Sequence, residues 1–180
     1  MKKLYFTRHG QTVWNAENKI CGITDIPLTE KGHQQAIELG KIIVKGNYNI
    51  DEILYSPLVR AADTARHISK ITNLPLRAEP RLKEQCFGKF ESTPRNGEEF
   101  LKAKAHFIDS YQGGESMMKL AQRIYNLLDE LKLSSSTYLL VAHNGIARVV
   151  NSYFNDMEND EYSRFGIDNC EILEFDFDEL

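Results

Sequence analysis

The residues best suited to chemistry stand in short polar runs that directly follow apolar ones. Leu4-Tyr5-Phe6-Thr7 ends in Arg8-His9-Gly10, Glu52–Tyr55 leads into Ser56-Pro57-Leu58-Val59-Arg60, and Thr137–Ala142 leads into His143-Asn144-Gly145. A buried strand has no use for an arginine and a histidine side by side. In an open α/β sheet, however, ligands sit beyond the carboxyl ends of the strands, so these runs would share one site. The planar fork of arginine matches the oxygens of a phosphoryl group without losing its charge. Two arginines and a histidine would hold a phosphate dianion and stabilise its equatorial oxygens during transfer. The other histidine, with an unperturbed pKa near ~6.5, could attack phosphorus as the neutral imidazole. Glycine after each histidine permits close backbone approach. A leaving alkoxide then needs a proton, which a carboxylic acid can give before acting as base for water. Glu84 and Glu91, in the glycine-containing run LKEQCFGKFES, are the candidate acids. The histidines do not fall at H-E-x-x-H or similar ligand spacing, so neither a metal nor another cofactor is expected.

The elements that would position these residues alternate along the chain. Lys3–Thr7, Glu52–Tyr55, Leu76–Ala78 and Thr137–Ala142 read as strands, and Glu171–Phe177, alternating apolar and acidic, as an edge strand. Thr29 suits the N-cap of a helix carrying Ala36, Leu39, Ile42 and Ile43 on one side. Further helices are expected over Leu58–Ile71, Arg95–Tyr111, Ser116–Leu131 and Ile146–Phe154. The Met117, Leu120, Ala121, Ile124, Leu127, Leu128 and Leu131 stripe is a core face rather than a cofactor box. Gln11–Pro27 lacks sustained periodicity and reads as a long loop, of the kind that often carries function. This order predicts an α/β fold, a three-layer α/β/α sandwich with a mainly parallel central sheet.

Composition narrows the partners. At 180 residues, 42% hydrophobic and 27% charged, the chain suits one globular domain over residues 1–180 with a sizeable core. A net charge of −4 argues against a general nucleic-acid or anionic-membrane binder, while a local basic pocket stays open. No apolar stretch approaches the ~20 residues a membrane span needs. Leu4-Tyr5-Phe6 is too short for a signal-peptide core, and a cytoplasmic location is expected. Asp178-Glu179-Leu180 echoes an ER-retention signal, but Phe177 occupies the fourth position from the end and the echo is read as chance. Cys21, Cys86 and Cys170 read as reduced thiols, an odd count without a close pair.

Taken together, the motifs resemble those of the histidine phosphatase superfamily, the phosphoglycerate-mutase-like proteins, over nearly the whole chain. Arg8-His9-Gly10 matches the family's opening motif, QTVWNAENKICGITDIPLTEKG its extension, SPLVRAADTA the second motif, LKEQCFG the segment with the proton donor, and GGES and AHNG the late motifs. The resemblance implies that His9 is phosphorylated, that Arg8, Arg60 and His143 form the phosphate pocket, and that Glu84 rather than Glu91 is the acid and base. It further implies Asn15 as an extra hydrogen-bond donor and Gly22 as a substrate-loop position. Glycolytic mutases of the family typically carry Thr-Gly at Cys21-Gly22, and Arg and Tyr at Gln85 and Phe87, together with a longer insertion before the late histidine. The compact chain is more similar to the family's small phosphatases. The expectation is a metal-independent phosphomonoesterase acting on a small phosphorylated metabolite. A cofactor-dependent phosphoglycerate mutase and a non-catalytic phospholigand-binding domain are the alternatives.

Overall fold

A computed structural model describes residues 2–179; Met1 and Leu180, the ends of the expected 1–180 domain, lie outside the described residues. Five strands, β1 (Lys3–Arg8), β2 (Glu52–Tyr55), β3 (Leu76–Ala78), β4 (Tyr138–Ala142) and β5 (Ile172–Asp176), form one sheet in the order β3-β2-β4-β1-β5. β4 lies between β1 and β2, parallel to both, and β3 continues the parallel run beside β2. β5 pairs antiparallel with β1 at the edge, with Thr7 opposite Ile172.

Burial on both faces explains why the strands read as unbroken apolar runs. Successive side chains of a strand point to opposite faces. Leu4, Phe6, Leu54 and Leu140 enter one core with helices α5 (Met117–Leu133) and α6 (Asn144–Phe154). Tyr5, Ile53, Leu139 and Val141 enter the other, against α2 (Glu30–Gly46) and α3 (Val59–Thr72). The three layers and the mainly parallel sheet follow the sequence expectation. Thr29 caps α2 as expected, accepting the Gly32 N–H at 3.1 Å.

Three segments differ from their expected form. The Gln11–Pro27 loop holds a short helix, α1 (Val13–Ala16), because Thr12 and Asn15 make a reciprocal capping box. The helix expected over Arg95–Tyr111 is confined to α4 (Glu98–Lys104). The chain turns back after it through positive φ at Tyr111, Gln112 and Gly113, which brings Tyr111 onto Phe87, Phe90 and Phe100 in a third small core. A further helix, α7 (Asn159–Arg164), is too short and polar to show a periodic stripe. Phe177, expected at the end of the edge strand, instead begins a 3-10 turn and packs in the first core.

Candidate active site

Four chain segments converge at the carboxyl ends of the parallel strands. β1 ends in Arg8 and delivers His9, whose N–H donates to the Ala142 carbonyl at 3.0 Å. β2 delivers Ser56 and the start of α3, with Arg60 in its first turn. β4 delivers His143, which occupies the N-cap of α6. The irregular chain after β3 delivers Glu84. Arg8, His9, Ser56, Arg60, Glu84 and His143 are all buried, Ser56, Arg60 and His143 completely.

His9 is held as a neutral base with a defined tautomer. Its Nδ1–H donates to the Gly10 carbonyl at 2.7 Å, which leaves the lone pair on Nε2, where the Arg60 Nε–H donates at 3.2 Å. Burial first, then the positive charges of Arg60 and Arg8, hold the His9 pKa well below the ordinary histidine value. His143 is depressed in the same way, by burial and then by Arg60. The two imidazole centroids are 5.2 Å apart. His143 Nε2 bonds Ser56 Oγ at 2.7 Å.

The two arginines are positioned by carbonyls, not by carboxylates. Arg60 donates from Nη1 to Thr24 O at 2.9 Å and from Nη2 to Gly22 O at 2.7 Å. With Nε on His9, three of the five guanidinium N–H groups are used and two remain. Arg8 donates from Nη1 to Ile167 O at 2.8 Å, while its Nε has no partner among the described residues. His143 Nδ1 is likewise buried and unpartnered. A buried polar atom left unpaired costs about 1–3 kcal/mol, so two such atoms beside His9 mark a position that a ligand completes. Burial pushes the Arg8 pKa down to about 10, with the nearby Arg95 charge adding to the effect.

Glu84 and Glu91 part company in three dimensions. Glu84 carboxylate accepts the Gln85 N–H at 2.9 Å and the Gly145 N–H at 3.0 Å, which fixes it at the N-terminus of α6. A Cβ on Gly145 would lie 2.4 Å from Glu84 Oε1, so this approach requires glycine. Glu91 is instead a loop fastener, accepting from the backbone N–H groups of Ile23, Thr24 and Phe87 and from the Thr24 hydroxyl. It thereby fixes the Gly22–Thr24 turn whose carbonyls hold Arg60. Gly22 lacks room for a side chain there, since a Cβ would meet Gln85 O and Glu91 Oε1 at 2.5 Å.

Asn15 lies beside this cluster, its Oδ1 accepting the Thr12 N–H at 3.1 Å and the Asn169 Nδ2–H at 3.3 Å, so only its donor end remains for a ligand. Asn169, unforeseen in the sequence, also donates to the His9 carbonyl at 2.8 Å. Arg95 and Arg148, both half-buried, flank Glu84 in a cavity that Lys104 and Cys21 also line. Neither arginine stood out in the sequence. Arg148 follows Asn144 by four residues on α6, a spacing that places both on one helix face. Arg95, in an irregular segment, carries no comparable signal. Cys21, Cys86 and Cys170 are free thiols. His33 and His67, to which no role is assigned, meet at 2.9 Å between α2 and α3, and among the described residues no cluster of three or more histidine, cysteine or carboxylate side chains forms a metal-binding set.

The fold and the site define an α/β protein with two histidines and two arginines gathered at the carboxyl ends of its parallel strands. The chain belongs to the histidine phosphatase superfamily (branch 1), whose family model matches residues 4–179. A relative named "Probable phosphoglycerate mutase GpmB" from Erwinia tasmaniensis is 32% identical, the match covering 98% of this chain and 85% of that protein. Among solved structures, the phosphoserine phosphatase of Entamoeba histolytica in complex with 3-phosphoglyceric acid is 32% identical with a TM-score of 0.84, covering 99% of this chain and 92% of that one. A mycobacterial glucosyl-3-phosphoglycerate phosphatase complexed with VO3 is 26% identical with a TM-score of 0.85, covering 97% and 90%. No helix among the described residues is long and apolar enough to cross a membrane.

Proposed function

We propose that the protein is a phosphomonoesterase that hydrolyses a small phosphorylated metabolite through a phosphohistidine at His9. The observation that carries this reading is the neutral, oriented His9 imidazole, with its lone pair on Nε2 beside two arginines that have no carboxylate partner. In the first step Nε2 attacks phosphorus, an N–P bond forms, and the P–O bond to the leaving group breaks. Glu84, protonated, gives its proton to the departing oxygen. In the second step the Glu84 carboxylate takes a proton from water, whose oxygen attacks phosphorus as the N–P bond breaks. This returns inorganic phosphate, neutral His9 and protonated Glu84.

Arg8 Nε, His143 Nδ1 and the two remaining Arg60 N–H groups supply donors for the phosphoryl oxygens, with Asn15 Nδ2 as a further one. Their fixed charge stabilises the transition state without a metal, since the dipoles are already oriented by the Ile167, Gly22 and Thr24 carbonyls. Gly22 contributes through its carbonyl and its lack of a side chain. The reading is tested by His9→Ala, which is expected to abolish p-nitrophenyl phosphate hydrolysis and acid-labile labelling of the enzyme by phosphate. Hydrolysis at the wild-type rate by the purified variant would refute it.

The 32% identity to a protein named as a phosphoglycerate mutase favours a second reading, transfer of the phosphoryl group between two hydroxyls of one substrate. A mutase must keep water from the phosphoenzyme, whereas a phosphatase admits it. Incubation with 3-phosphoglycerate and 2,3-bisphosphoglycerate separates them: the phosphatase releases free phosphate, and the mutase forms 2-phosphoglycerate with almost none.

A further inference from the structure

Ser56 carries a fully buried hydroxyl for which the reaction steps above have no use. It stands just past the end of β2, where its backbone N–H donates to the Val141 carbonyl at 3.0 Å and ties the segment to β4. That places Oγ 2.7 Å from Nε2 of His143, the residue that follows β4. Its other bond is longer: Oγ accepts the Leu58 N–H at 3.4 Å. A hydroxyl has one hydrogen to give and two lone pairs with which to accept. The Leu58 bond uses a lone pair, so among the described residues His143 Nε2 is the acceptor left for the hydrogen. Were Nε2 to donate instead, the hydroxyl hydrogen would be buried without a partner, which is costly. The O–H therefore donates to Nε2, and Nε2 carries no proton.

Burial and the charge of Arg60 keep His143 neutral, so its ring holds a single proton. With Nε2 an acceptor, that proton sits on Nδ1. Nδ1 is the buried atom without a partner, in a ring whose centroid lies 5.2 Å from that of His9. The backbone of His143 is fixed as well, since it caps α6 and its carbonyl accepts the Ala147 N–H at 2.9 Å. The two active-site histidines thus share one tautomer for opposite purposes. In His9 the Nδ1–H is engaged by the Gly10 carbonyl and the bare Nε2 is the nucleophile. In His143 the bare Nε2 is engaged by Ser56 and the Nδ1–H is free to donate.

We propose that Ser56 is a positioning residue: its hydroxyl fixes the tautomer of His143, so that the buried Nδ1 presents a hydrogen rather than a lone pair to the phosphoryl oxygens. The inference rests on the phosphomonoesterase reading. Which ring nitrogen of a histidine carries the proton is set by the bond that the other nitrogen makes. In the opposite tautomer His143 would turn a lone pair toward an anionic oxygen, and a stabilising donor would become a repulsive contact. A hydroxyl suits this task better than a carboxylate. A carboxylate at position 56 would favour the imidazolium and bring a negative charge close to the phosphate. The hydroxyl sets the place of the proton and leaves the charge of the pocket to Arg8 and Arg60.

Long-range proton–nitrogen NMR correlation spectra of isotope-labelled protein at neutral pH read the tautomer of each histidine, and the spectrum of His143→Asn identifies the His143 signals. The wild type is expected to show His143 protonated on Nδ1 with Nε2 bare. Ser56→Ala is expected to lose that single tautomer, to bind inorganic phosphate at least ~5-fold more weakly in calorimetric titration, and to hydrolyse p-nitrophenyl phosphate with kcat/KM at least ~10-fold lower. Ser56→Thr keeps the hydroxyl and should restore the tautomer, with both values within ~3-fold of wild type. In a His143→Asn background, where the Nε2 acceptor is gone, adding Ser56→Ala should cost less than ~2-fold. The wild-type spectrum decides the tautomer should Ser56→Ala not fold. Protonation of His143 on Nε2 in the wild type would overturn the proposal. So would an unchanged tautomer in folded Ser56→Ala, or the full loss from Ser56→Ala in the His143→Asn background. If the wild type hydrolyses no ester while the tautomer and phosphate results hold, only the hydrolytic reading falls. If it hydrolyses p-nitrophenyl phosphate with His143 protonated on Nε2, only the role of Ser56 falls.

Discussion

Replacing Gly145 by alanine should separate proton donation from phosphate binding. The added Cβ would lie 2.4 Å from Glu84 Oε1, where ordinary contact begins at 3.4 Å, so the carboxylate must retreat by the difference, about 1 Å. Gly145 has no unusual backbone angle, and the obstructing atom ends a side chain that can rotate, so the fold should tolerate the change. The weakened Gly145 N–H bond to Glu84 costs about 1–2 kcal/mol, and helix propensity returns up to about 1 kcal/mol, leaving a Tm loss of a few degrees at most. Misplacing a reacting group by about 1 Å costs on the order of 100-fold in rate, or about 2.7 kcal/mol of barrier. The loss should fall on kcat/KM for an alkyl phosphate, whose leaving alkoxide must be protonated. It should be much smaller for p-nitrophenyl phosphate, whose leaving group departs as a stable anion. Steady-state assays on both substrates, with a thermal melt as control, measure this. Equal losses on the two substrates, or no loss on either, would refute the assignment of Glu84 as the acid.

Glu84→Gln should lower alkyl phosphate turnover by at least ~100-fold, whereas Glu91→Gln should act mainly on stability, by about 1–3 kcal/mol in a urea titration, because Glu91 fastens the Ile23–Thr24 turn and Phe87. Arg60→Lys should lower kcat/KM by about 100- to 1000-fold, since a lysine cannot span Gly22 O, Thr24 O and His9 at once; phosphate-release kinetics report it. Both buried histidines have depressed folded-state pKa values, so above pH ~6.5 folded and unfolded chains are alike neutral at these positions. Below it the unfolded chain takes up protons first, and stability is lost as pH falls, by about 1.4 kcal/mol per pH unit for each histidine; urea midpoints between pH 7 and pH 5 should show this, and His143→Asn should flatten the slope. Asn169→Ala removes a donor from the His9 carbonyl and should slow phosphoenzyme formation by about 10-fold in single-turnover assays, with little change in Tm.

Much of the scaffold was legible before any coordinates. β2 and β3 occupy their expected residues, and β1 and β4 depart by a residue at one end, because a strand buried on both faces must be apolar throughout and such runs end abruptly at polar residues. The Thr29 cap and the leucine stripe of α5 were equally visible, since caps and helical periodicity are local. Where structure depends on closure over another segment, local pattern failed. The helix expected over Arg95–Tyr111 stops at Lys104 because Tyr111 must fold back onto Phe100, a contact no periodicity encodes.

The sequence by itself determined the strand-end residues Arg8, His9, Arg60 and His143, because parallel topology forces strand ends together and few chemistries use two arginines and two histidines. Tertiary structure decided what surrounds them. It placed Glu84 on the α6 N-terminus and Glu91 in a turn, two roles that loop sequence cannot distinguish because neither residue has a local partner fixed by spacing. It brought Asn169 under the His9 carbonyl from the far end of the chain. It also brought Arg95, Lys104 and Arg148 around one cavity whose single lining carboxylate is Glu84, an excess of positive charge invisible in a chain whose net charge is negative. Local pattern sets which face of an element is buried; which charges meet, and which are left unpaired, is set only when distant segments pack.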